Sequence, residues 1–160
     1  MQDELRAKML EILEANRIMT IATLRPDGWP QATTVGYAHD GVDALYFFVG
    51  RESQKAANIA RDDRVSLTID HDVANPLAIT GLSMAAHVRP VTDPAEIGRA
   101  FALLGAKYPE YVAHQGDFDF SVVATMKAVP VIVSVLDYSK GFGHSDLVTL
   151  DAEAGRPAAA

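Results

Sequence analysis

Residues 44–69 read A-L-Y-F-F-V-G-R-E-S-Q-K-A-A-N-I-A-R-D-D-R-V-S-L-T-I. The aromatic and β-branched run from Leu45 to Val49 predicts a strand. A helix is expected from about Gln54 to Arg61, and Val65 opens the next strand. Gly50, Arg51, Ser53 and Lys55 fall at the junction of the first strand and the helix. A helix start leaves backbone N–H groups without partners and carries the positive end of the helix dipole. With a hydroxyl and two cations beside it, such a turn suits an anion, and a cofactor phosphate is the expectation. The plainer reading of the same residues is a helix capped by Ser53, with Arg51 and Lys55 as hydrated surface charges.

On the N-terminal side, Met1 to Ala15 spaces Leu5, Met9, Ile12 and Leu13 as one face of an amphipathic helix. Ile18 to Leu24 and Trp29 to His39 are strand candidates joined by the turn R-P-D-G, Arg25 to Gly28. With Leu45 to Val49 they read as a meander of hairpins. On the C-terminal side come Val65 to Ile69, then Leu77 to Val91 with a bend or bulge expected at Gly81. T-D-P-A-E-I follows, with Asp93 as N-cap, Pro94 in the first turn and Glu96 three residues after the cap. That helix is expected to reach about Lys107, with a further turn at Pro109 to Ala113. Ser121 to Thr125 and Val129 to Leu136 are the last strands expected. Many short strands with few helices between them predict a mainly β fold whose antiparallel sheet closes into a barrel. Residues 1–150 read as a single domain, and 151–160 as a flexible tail of small residues.

Composition narrows the chemistry. The 160 residues include no cysteine, which excludes disulfides, zinc–thiolate sites, iron–sulfur clusters and a thiol nucleophile. A net charge of −7 argues against a nucleic-acid partner. Within this acidic chain, Arg51 to Arg64 carries a local balance of +1, scaled to one small anion. No run has the length of a membrane span, and the acidic start is unlike a signal peptide, so a cytoplasmic protein is expected.

The order R-P-D-G, W-P-Q-A-T-T-V-G-Y, L-Y-F-F-V and S-Q-K-A-A-N-I-A-R-D-D-R-V-S-L resembles the pyridoxamine 5′-phosphate oxidase-like split-barrel flavoproteins. The resemblance is good over Asn16 to Pro90 and looser beyond. It implies a six-stranded antiparallel split β-barrel with peripheral helices, paired as a homodimer with FMN at the subunit interface. Ser53 and Lys55, with Arg51, would hold the FMN phosphate. Thr33, Thr34 and Val35 would line the isoalloxazine edge, and Phe48 and Val49 would pack near the ring or ribityl chain. The implied activity is oxidation or reduction of a small organic substrate. The family's true oxidases carry basic residues where this chain has Q-A-T-T-V, and they end in a motif of tryptophan, arginine and histidine that this chain lacks. The resemblance therefore extends to the cofactor site and not to the namesake reaction. Related split barrels take a deazaflavin or haem instead, and a flavin-binding sensor or carrier without turnover is a third reading.

Other motifs carry less. Lys140-Gly-Phe-Gly-His144-Ser-Asp146 reads as a surface turn or as a loop reaching a flavin pocket, with Lys140 and His144 as the catalytic candidates. Gly81-Leu-Ser-Met-Ala85 lacks the final glycine of a nucleophile elbow. Asp70-His71-Asp72 has no spaced partner, so no metal site is expected.

Overall fold

A computed structural model describes residues 2–113 and 119–150; the expected tail, 151–160, lies outside the described residues. One antiparallel sheet organises them. Its strands are β1 (Ile18–Leu24), β2 (Pro30–Gly36), β3 (Ala38–His39), β4 (Leu45–Gly50), β5 (Arg64–Asp70), β6 (Thr80–Pro90), β7 (Val123–Asp137) and β8 (Ser145–Thr149). The order is β2-β1-β5-β6-β7-β4-β3, with β8 paired to β7 beside this path. Strands β2 and β4 come into contact without pairing, so the sheet curls into a barrel that stays split along that seam. The helices are α1 (Gln2–Ala15), α2 (Gln54–Arg61), α3 (Pro94–Lys107) and α4 (Pro109–Ala113). None among the described residues is long and apolar enough to cross a membrane.

The split-barrel expectation holds, with eight strands in place of six, and four details differ. First, the chain from Trp29 to His39 is not one strand; β2 stops at Gly36, before the buried Tyr37, whose hydroxyl donates to Leu13 O at 2.8 Å. Second, both expected hairpins form, β1–β2 and a short β3–β4, but they do not join into one meander, because β4 pairs with β3 and β7 and not with β2. Third, Leu77 belongs to a single 3-10 turn (Pro76–Ala78) capped by Asn75, and the strand starts at Thr80. The bulge is not at Gly81. Ala85 pairs with Ile132 and Ala86 with Pro130, so Val131 is the extra residue. Gly81 is needed for a different reason: a Cβ there would lie 2.9 Å from Ile69 O. Fourth, the two expected C-terminal strands are the single strand β7. Proline lacks the N–H that a ladder requires, and the bulge beside Pro130 lets the strand run through it.

Strand β4 is covered on both faces, which explains its unbroken apolar run. Leu45, Phe47 and Val49 point into the barrel with Ile21, Leu67, Leu82, Met84, Val133 and Val135, closed below by Met9, Ile12 and Leu13 of α1. Tyr46 and Phe48 face outward under α3, against Leu104 and Phe101. Asp93 caps α3 as predicted, accepting from Glu96 N at 2.9 Å. Glu96 then receives Lys127 Nζ at 2.7 Å and the Tyr46 hydroxyl at 3.0 Å, tying α3 to β7 and β4.

Helix α2 is fixed by one buried amide. Asn58 Nδ2 donates to Thr23 Oγ1 at 3.0 Å and to Gln31 Oε1 at 3.2 Å, while Gln54 Nε2 donates to Asn58 Oδ1 at 2.8 Å. Removing it strands the buried Thr23 and the half-buried Gln31. Asn58→Ala is expected to cost about 2 kcal/mol and to lower Tm by roughly 4–8 °C. A Tm within a degree of the parent, measured by calorimetry, would show that α2 is held by other contacts.

Candidate functional site

The turn before α2 is built by Ser53. Its hydroxyl donates to Gly50 O at 2.7 Å and accepts from Ala56 N at 3.2 Å, and its own N–H goes to Gly50 O at 3.0 Å. The Ser53 side chain is therefore a working N-cap with its proton already committed. The N–H groups of Gln54 and Lys55 have no acceptor among the described residues, as the geometry of a helix start requires. Arg51 is anchored to the chain ahead of β7, with its N–H on Val122 O at 2.9 Å and Nε on Ser121 O at 3.0 Å. Its terminal guanidinium nitrogens have no hydrogen-bond partner among the described residues. Helical spacing places Lys55 between Asn58 and Ile59, the two buried residues of α2. Its ammonium forms no ion pair among the described residues, and burial pushes the amine below the ordinary lysine value.

A cavity of about 660 Å³ opens under α2, between the ends of β4, β6 and β7. Its walls are aliphatic: Val49, Ala56, Ile59, Met126, Val129 and Val131. The charged and titratable groups on it are Arg51, Asp63, His87 and Arg89. His87 Nδ1 lies 3.0 Å from Asp63 Oδ2, and Nε2 has no partner among the described residues. Volume and lining fall in the range of small-molecule sites.

The predicted site residues do not all meet here. Arg51 and Val49 line the cavity, and Ser53 and Lys55 stand at the helix start beside it. Phe48, next to Val49, points to the opposite face and packs against Phe101 at 5.1 Å and Phe120 at 5.8 Å. This is the alternation of a strand, and it takes Phe48 away from the cavity. Thr33 and Val35 point inward from β2, and Thr33 Oγ1 is buried with no hydrogen-bond partner among the described residues. Thr34 points outward. Lys140 and His144 lie on the β7–β8 connection, where both contact Asp146, at 3.4 and 3.1 Å; neither reaches the cavity. Hydrogen bonding from His144, then from Lys140, holds the Asp146 carboxyl below its usual range. No group of three or more metal-ligating side chains occurs among the described residues.

Sequence reasoning missed Asp63, His87 and Arg89. The local signal was H-V-R, two polar residues at strand spacing on one face. What it lacked was the β5–β6 register, Arg64 opposite His87, which brings Asp63 to the imidazole.

The outer face of the sheet has its own pattern. The registers align Thr34, Thr20, Thr68, Ser83, Ser134 and Leu147 in one row across six strands. The neighbouring row is Ala32, Ala22, Ser66, Ala85, Ile132 and Thr149. Neither row contains a charge, in a chain with 22% charged residues. The next position along β6 on the same face is His87, so the cavity borders this uncharged face.

The sequence model of the family described as pyridoxamine 5′-phosphate oxidase matches residues 5–131. Among solved structures, a haem-binding protein from Mycobacterium smegmatis is similar, with TM-score 0.73 and 23% identity over 89% of this chain. This chain spans 56% of that protein. A Clostridium acetobutylicum protein related to general stress protein 26, of the pyridoxine phosphate oxidase family, superposes with TM-score 0.73 at 11% identity, covering 94% of this chain and 98% of its own. HutZ, the haem storage protein of Vibrio cholerae, does so with TM-score 0.66 at 14% identity, covering 91% and 94%. No curated protein matches.

The half-buried Lys55 sets a stability test. A folded-state pKa below the unfolded one means that the folded chain binds fewer protons. The penalty is then full below the folded pKa and fades as pH rises toward the ordinary lysine value. Ligand-free Lys55→Met is expected to melt above the parent at pH 7, with the gap closing toward pH ~10. An unchanged or lower Tm in thermal melts at pH 7 would contradict a cation held without a counter-charge.

Proposed function

The chain belongs to the pyridoxamine 5′-phosphate oxidase family, and we propose that it is an FMN-binding flavoprotein acting as an oxidoreductase on a small organic substrate. The observation that carries this reading is the start of α2. Two cations without counter-charges, Arg51 and Lys55, flank two open backbone N–H groups, a donor set that fits a phosphate dianion. Bound there, FMN would supply hydride and electron transfer. The protein's own contributions are simpler. Arg51 and Lys55 hold the anion, and Ser53 shapes the turn through its cap. Val49 and the aliphatic wall exclude water from the neighbouring cavity. Thr33 supplies a buried hydroxyl in need of a partner, which suits the polar edge of a ring system. Phe48 supports the wall from behind.

The reading extends to a homodimer. No β2 residue lines the cavity within one chain, and a second copy is what would bring such groups to it. Two charge-free rows across six strands support that assembly, because an exposed sheet face of this size normally carries charge. The aliphatic border at Val129 and Val131 continues the same surface to the cavity mouth.

A second reading takes haem in the cavity, with His87 as the iron ligand. It is favoured by the imidazole on an apolar wall, its Nδ1 held by Asp63 and its Nε2 unpartnered. Two structures of similar fold are named for haem binding or storage.

Titration of the purified protein with FMN, and separately with haemin, decides between them. FMN is expected to bind with a perturbed flavin spectrum, and Arg51→Ala with Lys55→Ala is expected to weaken it about a hundredfold or more. Haemin uptake abolished by His87→Ala, with no FMN binding, would establish the second reading. For the assembly, Ala85→Arg places a charge in the middle of the uncharged face and is expected to give a monomer by light scattering. A parent protein that is already monomeric at micromolar concentration would end the homodimer proposal.

A further inference from the structure

We propose that the cavity under α2 also binds a small apolar monocarboxylate, anchored on Arg89 with its hydrocarbon body against the aliphatic wall. This does not depend on a flavin. It follows from an imbalance of charge in an apolar space. Two guanidinium groups, Arg51 and Arg89, line the cavity against one carboxylate, Asp63, which is engaged by His87 at 3.0 Å. The Arg89 side chain donates no hydrogen bond among the described residues. Its one ion pair among the described residues is a long one, to Glu96 at 4.0 Å, beyond hydrogen-bond length. Glu96 is already satisfied by Lys127 at 2.7 Å and Tyr46 at 3.0 Å. Hydrogen bonding from Lys127 is the main reason that its carboxyl lies below the usual range. Arg89 Nε is buried and has no hydrogen-bond partner among the described residues.

A guanidinium with unused donors beside aliphatic walls selects an anion with an apolar body. The planar fork matches a carboxylate. The ligand's hydrocarbon part replaces water against Val49, Ile59 and Met126. Arg51 is the site proposed above for phosphate, which leaves Arg89 as the cation for a second, smaller anion. His87 lies two residues away on the same strand, roughly 7 Å along it, so its free Nε2 comes within reach of a polar substituent near the carboxylate.

Isothermal titration of the full chain with hexanoate, benzoate and the neutral hexanamide tests this, with and without saturating FMN. Hexanoate is expected to bind at least about tenfold more tightly than hexanamide. Arg89→Met should erase that preference while leaving hexanamide binding and FMN affinity unchanged. Arg89→Lys should retain part of the preference and serves as the folded control. Equal affinities for acid and amide, no heat from either, or a preference untouched in Arg89→Met would overturn the proposal. Competitive displacement of hexanoate by FMN would also overturn it, since the cavity would then belong to the flavin. An Arg89-dependent hexanoate site in a chain that takes up no FMN would uphold the inference while removing the flavin reading.

Discussion

The structure depends on the double burial of β4. Leu45, Phe47 and Val49 complete the barrel core while Tyr46 and Phe48 carry α3, so no residue of this strand is free to turn toward water until Gly50. The chain must leave the sheet there. Gly50 O accepts both the N–H and the hydroxyl of Ser53, and this reverses the chain directly into α2. Asn58 then clamps α2 to β1 and β2. The start of α2 and the cavity below it are thus placed by the packing of a strand, not by loops free to drift.

The same packing leaves functional groups short of partners. Among the described residues, Lys55 is held on the buried side of α2 with no counter-charge, Thr33 keeps a buried hydroxyl without a hydrogen bond, and Arg89 buries an unpaired Nε. Most polar groups elsewhere in this chain are satisfied, including Tyr37, Tyr46, Glu96 and Asn58. Unsatisfied groups cost stability wherever they occur; Arg89 lines the cavity and Lys55 stands at the helix start above it, while Thr33 lies apart on β2.

Local chemistry made part of this legible before the structure. S-Q-K after an aromatic strand announced a capped helix start, and Ser53 does cap it. T-D-P-A-E announced α3, whose cap and length agree with the reading. Alternation exposed β5, where every second residue is buried. The errors have a common cause. Pro130 looks like a break unless the opposing strand is known to absorb an extra residue there, and β8 is too short and too polar to stand out. The His87–Asp63 pair joins residues 24 apart through a register that no local pattern encodes. The aromatic run gives Phe48 and Val49 one role, although strand geometry sends them to opposite sides.

The bulge at Val131 has a consequence of its own. Before it, the even positions Ala124, Met126 and Ala128 point into the barrel; after it, the odd positions Val133 and Val135 do. One chain segment thereby changes parity midway. In its first half the even positions Ala124 and Met126 line the cavity, and in its second half the even positions Ile132 and Ser134 belong to the outer rows. Losing that single residue would restore a uniform alternation and turn the distal half of the strand inside out. The cavity wall and the exterior are therefore tied to each other through a one-residue phase shift.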